Sequence, residues 1–361
     1  MVTERSASAI GALGRGSAWR FFLAALILSG FAGVKPRWRE TLGPARTIHT
    51  RQVMLDADDP DRRRVGDLTY LGGVRLMSRD SAFGGFSDLV VRGDRFVLIS
   101  DRGGVVRFRM GKDWRPRAVR FGDLEEGPGP GWSTLDRDSE SLAFDPAGGN
   151  FWVGYERANQ IWRYGSDLAR ATGHAAPPAM AEWSDNSGLE SLTRLSDGSF
   201  LALSEWGSAA GPRLRDGIWF AGDPVDAPRR GFRFYYRPPS RYAATSLVEL
   251  PDGDLLVLLR RLDPPLRFST RIERIARSAI RKGAVVEGRE VATLAAPLIH
   301  ENFEGIAVSR EGKDTILWIV SDDNLMLLQR SLLLKFRLEP NRAQQNGPRA
   351  DASRRDAPGK E

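Results

Sequence analysis

Five stretches of the chain repeat one pattern about every 50–60 residues, a strand-built period that restricts the fold more than any other feature. The first is Asp88-Leu89-Val90-Val91 running to Ile99-Ser100-Asp101, and the second is Ser139-Glu140-Ser141-Leu142 running to Gly154-Tyr155-Glu156. The third is Leu189-Glu190-Ser191-Leu192 running to Leu203-Ser204-Glu205, and the fourth is Thr245-Ser246-Leu247-Val248 running to Leu259-Arg260. The last is Phe303-Glu304-Gly305-Ile306 running to Val320-Ser321-Asp322. Turn residues divide each stretch into two short apolar runs. Asp197-Gly198 and Asp252-Gly253 are hairpin dipeptides, and Gly93-Asp94, Gly148-Gly149-Asn150 and Glu311-Gly312-Lys313 take their place elsewhere. The runs are apolar on both faces, as expected of sheets packed on each side. Hairpins repeated at this period read as blades of an all-β β-propeller.

A third strand is expected after each hairpin, at Val105 to Met110, Gln160 to Tyr164, Gly217 to Phe220, Arg271 to Ile275 and Leu332 to Leu338. A fourth is expected at Arg117 to Phe121, near Ala181-Glu182-Trp183, at Gly231 to Tyr236 and at Val291 to Leu294. The last hairpin has no fourth strand after it. Leu68 to Met77 stands unpaired before the first and is expected to complete the last blade and close the ring, which would remove exposed edges. The repeat count is five blades, with a degenerate sixth left open. Residues 66–338 form the propeller domain on this reading. Residues 34–65 read as a linker with room for one early strand, and 339–361, rich in Arg, Asp, Ala, Gly and Pro, read as a disordered tail.

At the N-terminus, Arg5, Arg15 and Arg20 precede an apolar run from Phe21 to Leu28, then Ser29-Gly30-Phe31-Ala32-Gly33. Residues 1–33 thus read as a signal peptide cut after Ala32, or as an uncleaved anchor, since Lys35, Arg37 and Arg39 follow at once. Either places the protein in the periplasm or outside the cell. The chain has no cysteine, which excludes disulfides, a thiol nucleophile and thiolate metal sites.

The net charge of +7 raises the question of nucleic acid, but the arginines are scattered and no basic helix, zinc-finger spacing or aromatic RNA-binding signature accompanies them. A nucleic-acid partner is therefore not expected, nor a membrane contact beyond the N-terminus. A monomer acting on a small anionic molecule is. The three histidines, His49 in the linker, His174 in a loop and His300 before the last repeat, are too dispersed for a zinc site. There is no G-x-S-x-G elbow and no Walker loop.

What the repeats do share is a polar residue at each end, usually acidic. The pairs are Asp88 with Asp101, Glu140 with Glu156, Glu190 with Glu205, Thr245 with Arg260, and Glu304 with Asp322. A hairpin returns to the end where it began, so both members of each pair belong at one mouth of the channel. Asp88, Glu140, Glu190 and Glu304 would face one another there, with Thr245 completing the ring. Like charges so concentrated need compensation. A hard cation such as Ca²⁺ would supply it, with Asp88, Asp101, Glu140, Glu304 and Asp323 as candidate ligands. So would Arg102, Arg157, Arg260 and Arg261, or protons kept on some carboxyls. The plainer alternative is that such acids tie neighbouring blades together through backbone N–H groups.

These stretches resemble the phytase-like family described as "esterase-like activity of phytase". The resemblance is carried by FGGFSDLVV with ISDRG, DSESLAFDP with FWVGYE, NSGLESLTRLSDGSFLALSE, ATSLVELPDGDLLVLLRR, and NFEGIAV with VSDDNLMLLQRSLLLKFRL. Asp138-Ser139-Glu140-Ser141 departs from the Pro-Glu-Gly usual there but keeps the carboxylate. The resemblance implies an exported bacterial propeller and hydrolysis of phosphate or carboxylate esters, with Ca²⁺ held by acidic residues in the related propeller phytases. It carries over Glu140, Glu190, Glu304 and Asp322 as catalytic candidates, with Asp323, Asp101 and Arg102 beside them. Arg102, Arg260 and Arg261 are the candidates for binding an anionic substrate. A periplasmic binding propeller without catalysis and a lactonase-like propeller are the alternatives.

Overall fold

A computed structural model describes residues 38–340 apart from 45, 265 and 266. The leader at 1–33 and the tail from 341 onward lie outside the described residues. Five antiparallel sheets stand in a ring, one per repeat, with almost no helix. Blade 1 is Phe86–Arg92, Arg95–Ser100, Gly104–Met110 and Pro116–Asp123. Blade 2 is Ser139–Phe144, Phe151–Tyr155, Gln160–Tyr164 and Ala171–Ala175. Blade 3 is Leu189–Arg194, Phe200–Ser204, Arg215–Phe220 and Gly231–Tyr236, with the short Val285–Val286 added in parallel. Blade 4 is Ala243–Glu249, Leu255–Asp263, Arg267–Ile275 and Arg289–Leu294.

Blade 5 draws its strands from two separate parts of the chain. Asn302–Glu311, Asp314–Asp322 and Leu332–Leu338 come from the last repeat, and Leu68–Met77 pairs antiparallel with Leu332–Leu338 from Leu68↔Leu338 to Arg75↔Leu332. The early strand in the linker segment is His49–Gln52, which pairs with Leu68–Met77, while Leu55 and Asp56 beyond it are buried. No helix among the described residues is long and apolar enough to cross a membrane.

One expected strand is displaced. Blade 2 takes Ala171–Ala175 as its fourth strand, and Ala181 to Trp183 follow a short 3₁₀ turn at Pro178–Met180. Trp183 and Met180 are apolar enough to suggest a strand, but they are buried as a plug against blade 3. His174 sits in that fourth strand rather than in a loop, stacked on Trp162 with ring centroids 4.3 Å apart.

Five apolar clusters fill the five seams between blades. Leu258 and Ile272 of blade 4 meet Ile306 and Leu317 of blade 5, and Leu89 and Leu98 of blade 1 meet Trp318 and Val320 of blade 5. Leu203 meets Val257, Ile161 meets Leu189, and Ile99 meets Val153 in the other three. This is why the hairpin strands are apolar on both faces: every blade is covered on two sides. Burial of each such side chain contributes about 1.5–3 kcal/mol.

The feature that builds the site is a β-bulge at the same point of every inner hairpin. Pairing skips one residue between Phe86 and Asp88, between Ser139 and Ser141, between Leu189 and Ser191, between Ala244 and Ser246, and between Phe303 and Gly305. The bulged residues are Ser87, Glu140, Glu190, Thr245 and Glu304. A bulge leaves one residue unpaired and re-aims its side chain, here at the mouth of the channel.

Candidate functional site

The bulges correct the expected ring by one residue in blade 1. Ser87, not Asp88, is equivalent to Glu140, Glu190 and Glu304. Asp88 is equivalent to Ser141, Ser191, Ser246 and Gly305, one step along the strand. Its Oδ2 accepts from Leu142 N at 2.8 Å and its Oδ1 from Leu89 N at 2.9 Å, with Ser246 Oγ at 3.4 Å. Asp88 therefore ties blades 1, 2 and 4 together, the plainer role weighed for such acids. Burial pushes its carboxyl up to about 8 against those hydrogen bonds. Blade 5 has glycine at the matching place because a Cβ on Gly305 would come within 2.8 Å of Asp88 Cα.

Asp323, another expected cation ligand, is also committed to the fold. It accepts from Gly85 N at 2.9 Å, Leu325 N at 3.1 Å and Ser331 Oγ at 2.8 Å. Arg261 leaves the ring as well: strand alternation turns it away from Arg260. Its Nε and Nη2 go to Asp263 Oδ2 at 3.0 and 2.9 Å, and its guanidinium lies 4.7 Å over the Tyr242 ring.

The remaining polar residues gather in two groups. In the first, Arg260 is the centre. It donates to Glu304, to Asn302 Oδ1 at 2.8 Å and to Glu205 Oε1 at 2.7 Å. Asn302 Nδ2 in turn donates to Glu304 Oε1 at 2.8 Å and to Asp322 Oδ2 at 3.1 Å, and Asn324 N caps Asp322 Oδ1 at 2.6 Å. Burial raises the carboxyls of Glu205, Glu304 and Asp322, and Arg260 holds the first two back. The Arg260 guanidinium is held firmly charged: burial lowers it, but Glu304, Glu205 and Glu190 outweigh that.

The second group is Asp138, Glu140 and Glu156 in blade 2. One carboxylate oxygen of each lies within 4.8 Å of the others. Arg157 reaches the group only at its edge, with Nε 3.4 Å from Asp138 Oδ2 and Nη2 turned to Asn186 Oδ1 at 2.7 Å. Burial pushes Asp138 up to about 6 and Glu156 up to about 9. Glu140 keeps a water-facing edge, yet burial first, then the charges of Glu190 and Asp138, hold it well above the usual carboxylate range. Asp138 owes its place to Arg137, which is almost wholly buried and donates to Leu124 O, Glu125 O and Pro128 O at 2.9, 2.7 and 2.6 Å. That staple fixes the loop that delivers Asp138.

Glu190 feels both groups. It is buried, makes no hydrogen bond among the described residues, and is raised by burial and then by Glu205, Glu156 and Glu304. Asp101 is nearby, its Oδ1 buried without a hydrogen-bond partner and 3.8 Å from Arg102 Nε. Burial pushes Asp101 up to about 7 although Arg102 opposes it. His300 turns to its own loop, its Nδ1 pairing with Leu298 O at 2.7 Å.

The sequence reading thus missed Asp138 and Asn302. Both precede a bulged glutamate by two positions, a spacing that was visible in the sequence. The cation ligands it expected also need regrouping. Three clustered carboxylates, of which one neighbouring guanidinium offsets only part of the charge, fit a hard cation with oxygen ligands. Glu140 alone of the expected ligands belongs to that cluster. Asp88 and Asp323 are committed to backbone N–H groups, and Glu304 to Arg260.

The class is now defined: a five-bladed β-propeller with a carboxylate-lined mouth. The chain belongs to the phytase-like family, described as "esterase-like activity of phytase", whose model matches residues 81–325. A search of curated proteins finds no match. Among solved structures the chain is similar to the major allergen Mala s 1 of Malassezia sympodialis, at 14% identity over 83% of this chain and 92% of that one, TM-score 0.41. It is similar to a luciferin-regenerating enzyme at 12% identity over 80% and 98%, TM-score 0.38. It is also similar to hydrazine synthase of Kuenenia stuttgartiensis at 12% identity over 68% of this chain and 58% of that one, TM-score 0.34.

Proposed function

We propose that the mouth is the active site of a metal-assisted hydrolase of phosphate or carboxylate esters. The observation that carries this is the under-compensated trio of Asp138, Glu140 and Glu156 beside the buried Glu190 carboxyl. The trio would hold the cation, taken to be Ca²⁺. A divalent ion bound there supplies Lewis-acid polarisation of the ester oxygen and a more acidic water. Glu190, whose carboxyl is held well above the usual range by burial and by its anionic neighbours, would give a proton to the leaving oxygen. Arg102 and Arg157 are the guanidiniums with donors left for an anionic substrate. Arg260 already serves Glu205, Glu304 and Asn302, so its part is to fix those carboxylates. Export to the periplasm or medium and action as a monomer on a small anionic substrate belong to the same proposal.

The test is hydrolysis of p-nitrophenyl phosphate, p-nitrophenyl butyrate and a small lactone, with chelator and then with Ca²⁺. Turnover in one series, lost in Glu140→Gln and Glu190→Gln while both variants stay folded, is expected. No turnover in any series, with Ca²⁺ or other divalent ions, would overturn catalysis. The self-contained network around Arg260 favours a second reading, a binding propeller, and Ca²⁺ binding without turnover would select it.

A further inference from the structure

The acidic mouth uses the open ends of the inner hairpins. At their turns, on the opposite face, a groove of about 660 Å³ opens between blades 1 and 2, with the blade 5 hairpin at its edge. Its apolar wall is Val90, Val97, Phe144 and Phe151, and four arginines line it: Arg92, Arg95, Arg107 and Arg310. None of the four is ion-paired among the described residues. The acids nearest in sequence are engaged elsewhere: Asp94 with Arg109 at 2.7 Å and Asp145 with Arg194 at 3.4 Å. Asp167 acts on Arg107 only through space.

Two of these arginines are held in place by the wall itself. The Arg92 guanidinium lies 5.1 Å over the Phe144 ring, and that of Arg107 lies 5.9 Å over Phe151. Arg107 Nη1 donates to Ser166 O at 2.9 Å, while its Nη2 is buried with no partner. A guanidinium stacked on an aromatic face keeps its edge N–H donors free for a bidentate anion. A concave apolar wall with a few convergent charges, at a volume of about 300–1,000 Å³, is the usual form of a small-molecule site.

We infer that this groove binds a small amphiphilic anion: a carboxylate, sulfonate or phosphate carried on an aromatic or acyl body. The body lies along Val90, Val97, Phe144 and Phe151, and the anion meets Arg107 and Arg92, with Arg95 and Arg310 at the rim. The site lies at the other end of the blades from Glu140, so it stands or falls independently of the hydrolase proposal.

The experiment is a titration of the full chain with 8-anilinonaphthalene-1-sulfonate, followed by displacement with octyl phosphate below its micelle concentration. Saturable binding is expected, reversed by octyl phosphate but not by octyl glucoside or inorganic phosphate at the same concentration. The exposed pair Arg92→Gln/Arg310→Gln should weaken it about tenfold or more without changing the melting temperature. Arg107→Gln should do the same, and Glu140→Gln should leave binding unchanged. Equal displacement by octyl glucoside, unaltered binding in the arginine variants, or binding to phosphatidylglycerol vesicles without binding of the monomeric anion would overturn the inference.

Discussion

The two groups at the acidic mouth have similar carboxylates and opposite fates. Around Arg260, the carboxylates Glu205 and Glu304 share a buried guanidinium and Asn302 bridges to Asp322. In blade 2, Asp138, Glu140 and Glu156 converge with only the edge of Arg157 against them. The difference comes from one position: beside its bulge blade 4 carries Arg260 where blades 1, 2, 3 and 5 carry Asp101, Glu156, Glu205 and Asp322. Arginine in blade 4 settles the charge of its neighbours, blades 3 and 5, and the acids of the two blades not adjacent to it are left to protons or to a cation.

The largest expected effect is on the settled side. Arg260→Met strands Glu205 and Glu304 in a buried place, and breaking such a pair costs about 3–5 kcal/mol. The loss in urea unfolding should be greater at pH 8 than at pH 5, where the two raised carboxyls accept protons. Equal loss at both values would mean that Arg260 acts by packing alone.

Ca²⁺ should stabilise the other side, by about 2.7 kcal/mol at a hundred times its Kd. Glu140→Gln should abolish that rise in melting temperature and Glu205→Gln should preserve it. The reverse pattern would move the cation to the Arg260 group and erase the contrast between the two.

Asp88→Asn should cost about 2 kcal/mol, since an amide N–H₂ would then face a backbone donor from Leu89 or Leu142. The Ca²⁺ response should survive. Its loss would return Asp88 to the list of ligands.

The pH dependence is gentler. The folded carboxyls of Asp138, Asp101, Asp88 and Glu156 sit near 6, 7, 8 and 9, all above their unfolded values. The folded state then holds more protons at these groups than the unfolded one, so their contribution to stability without metal is fully present below about pH 4 and is lost as pH rises toward 9. Thermal unfolding across that range should show the decline, and saturating Ca²⁺ should flatten it. A metal-free protein whose stability rises from pH 5 to 8 would contradict the raised carboxyls.

Arg261→Ala is the smallest change. Its partners Asp263 and Tyr242 lie off the ring, so it should cost under about 1 kcal/mol and leave hydrolysis unaltered. A large fall in turnover would bring it back to the substrate.

Much was legible from the chain. The 50-residue spacing, the Asp-Gly turns and the doubly apolar hairpins specify blades, and four of the five third strands begin within two residues of where the pattern puts them. Glu140, Glu190 and Glu304 could be placed at one mouth because a hairpin must return to its own start. The fourth strand of blade 2 was not legible, because Trp183 and Met180 are as apolar as a strand residue whatever they pack against.

By itself, then, the sequence determined five repeated hairpins and the end of the channel where acids collect, since these follow from local periodicity and turn chemistry, and the ring settled the count at five blades. Tertiary structure decided which acids do what. Aligning the repeats on Leu89, Leu142, Leu192, Leu247 and Ile306 would have hinted that Ser87 matches Glu140, but only the hydrogen-bond register makes it so. That Asp88 is a tie between blades and that Arg260 neutralises Glu205 and Glu304 depend on partners tens of residues away, and that Asp138 joins Glu140 depends on how Arg137 staples the loop before it. Charge and hydrogen bonding are settled by which atoms meet across the seams, and the seams exist only once the ring has formed.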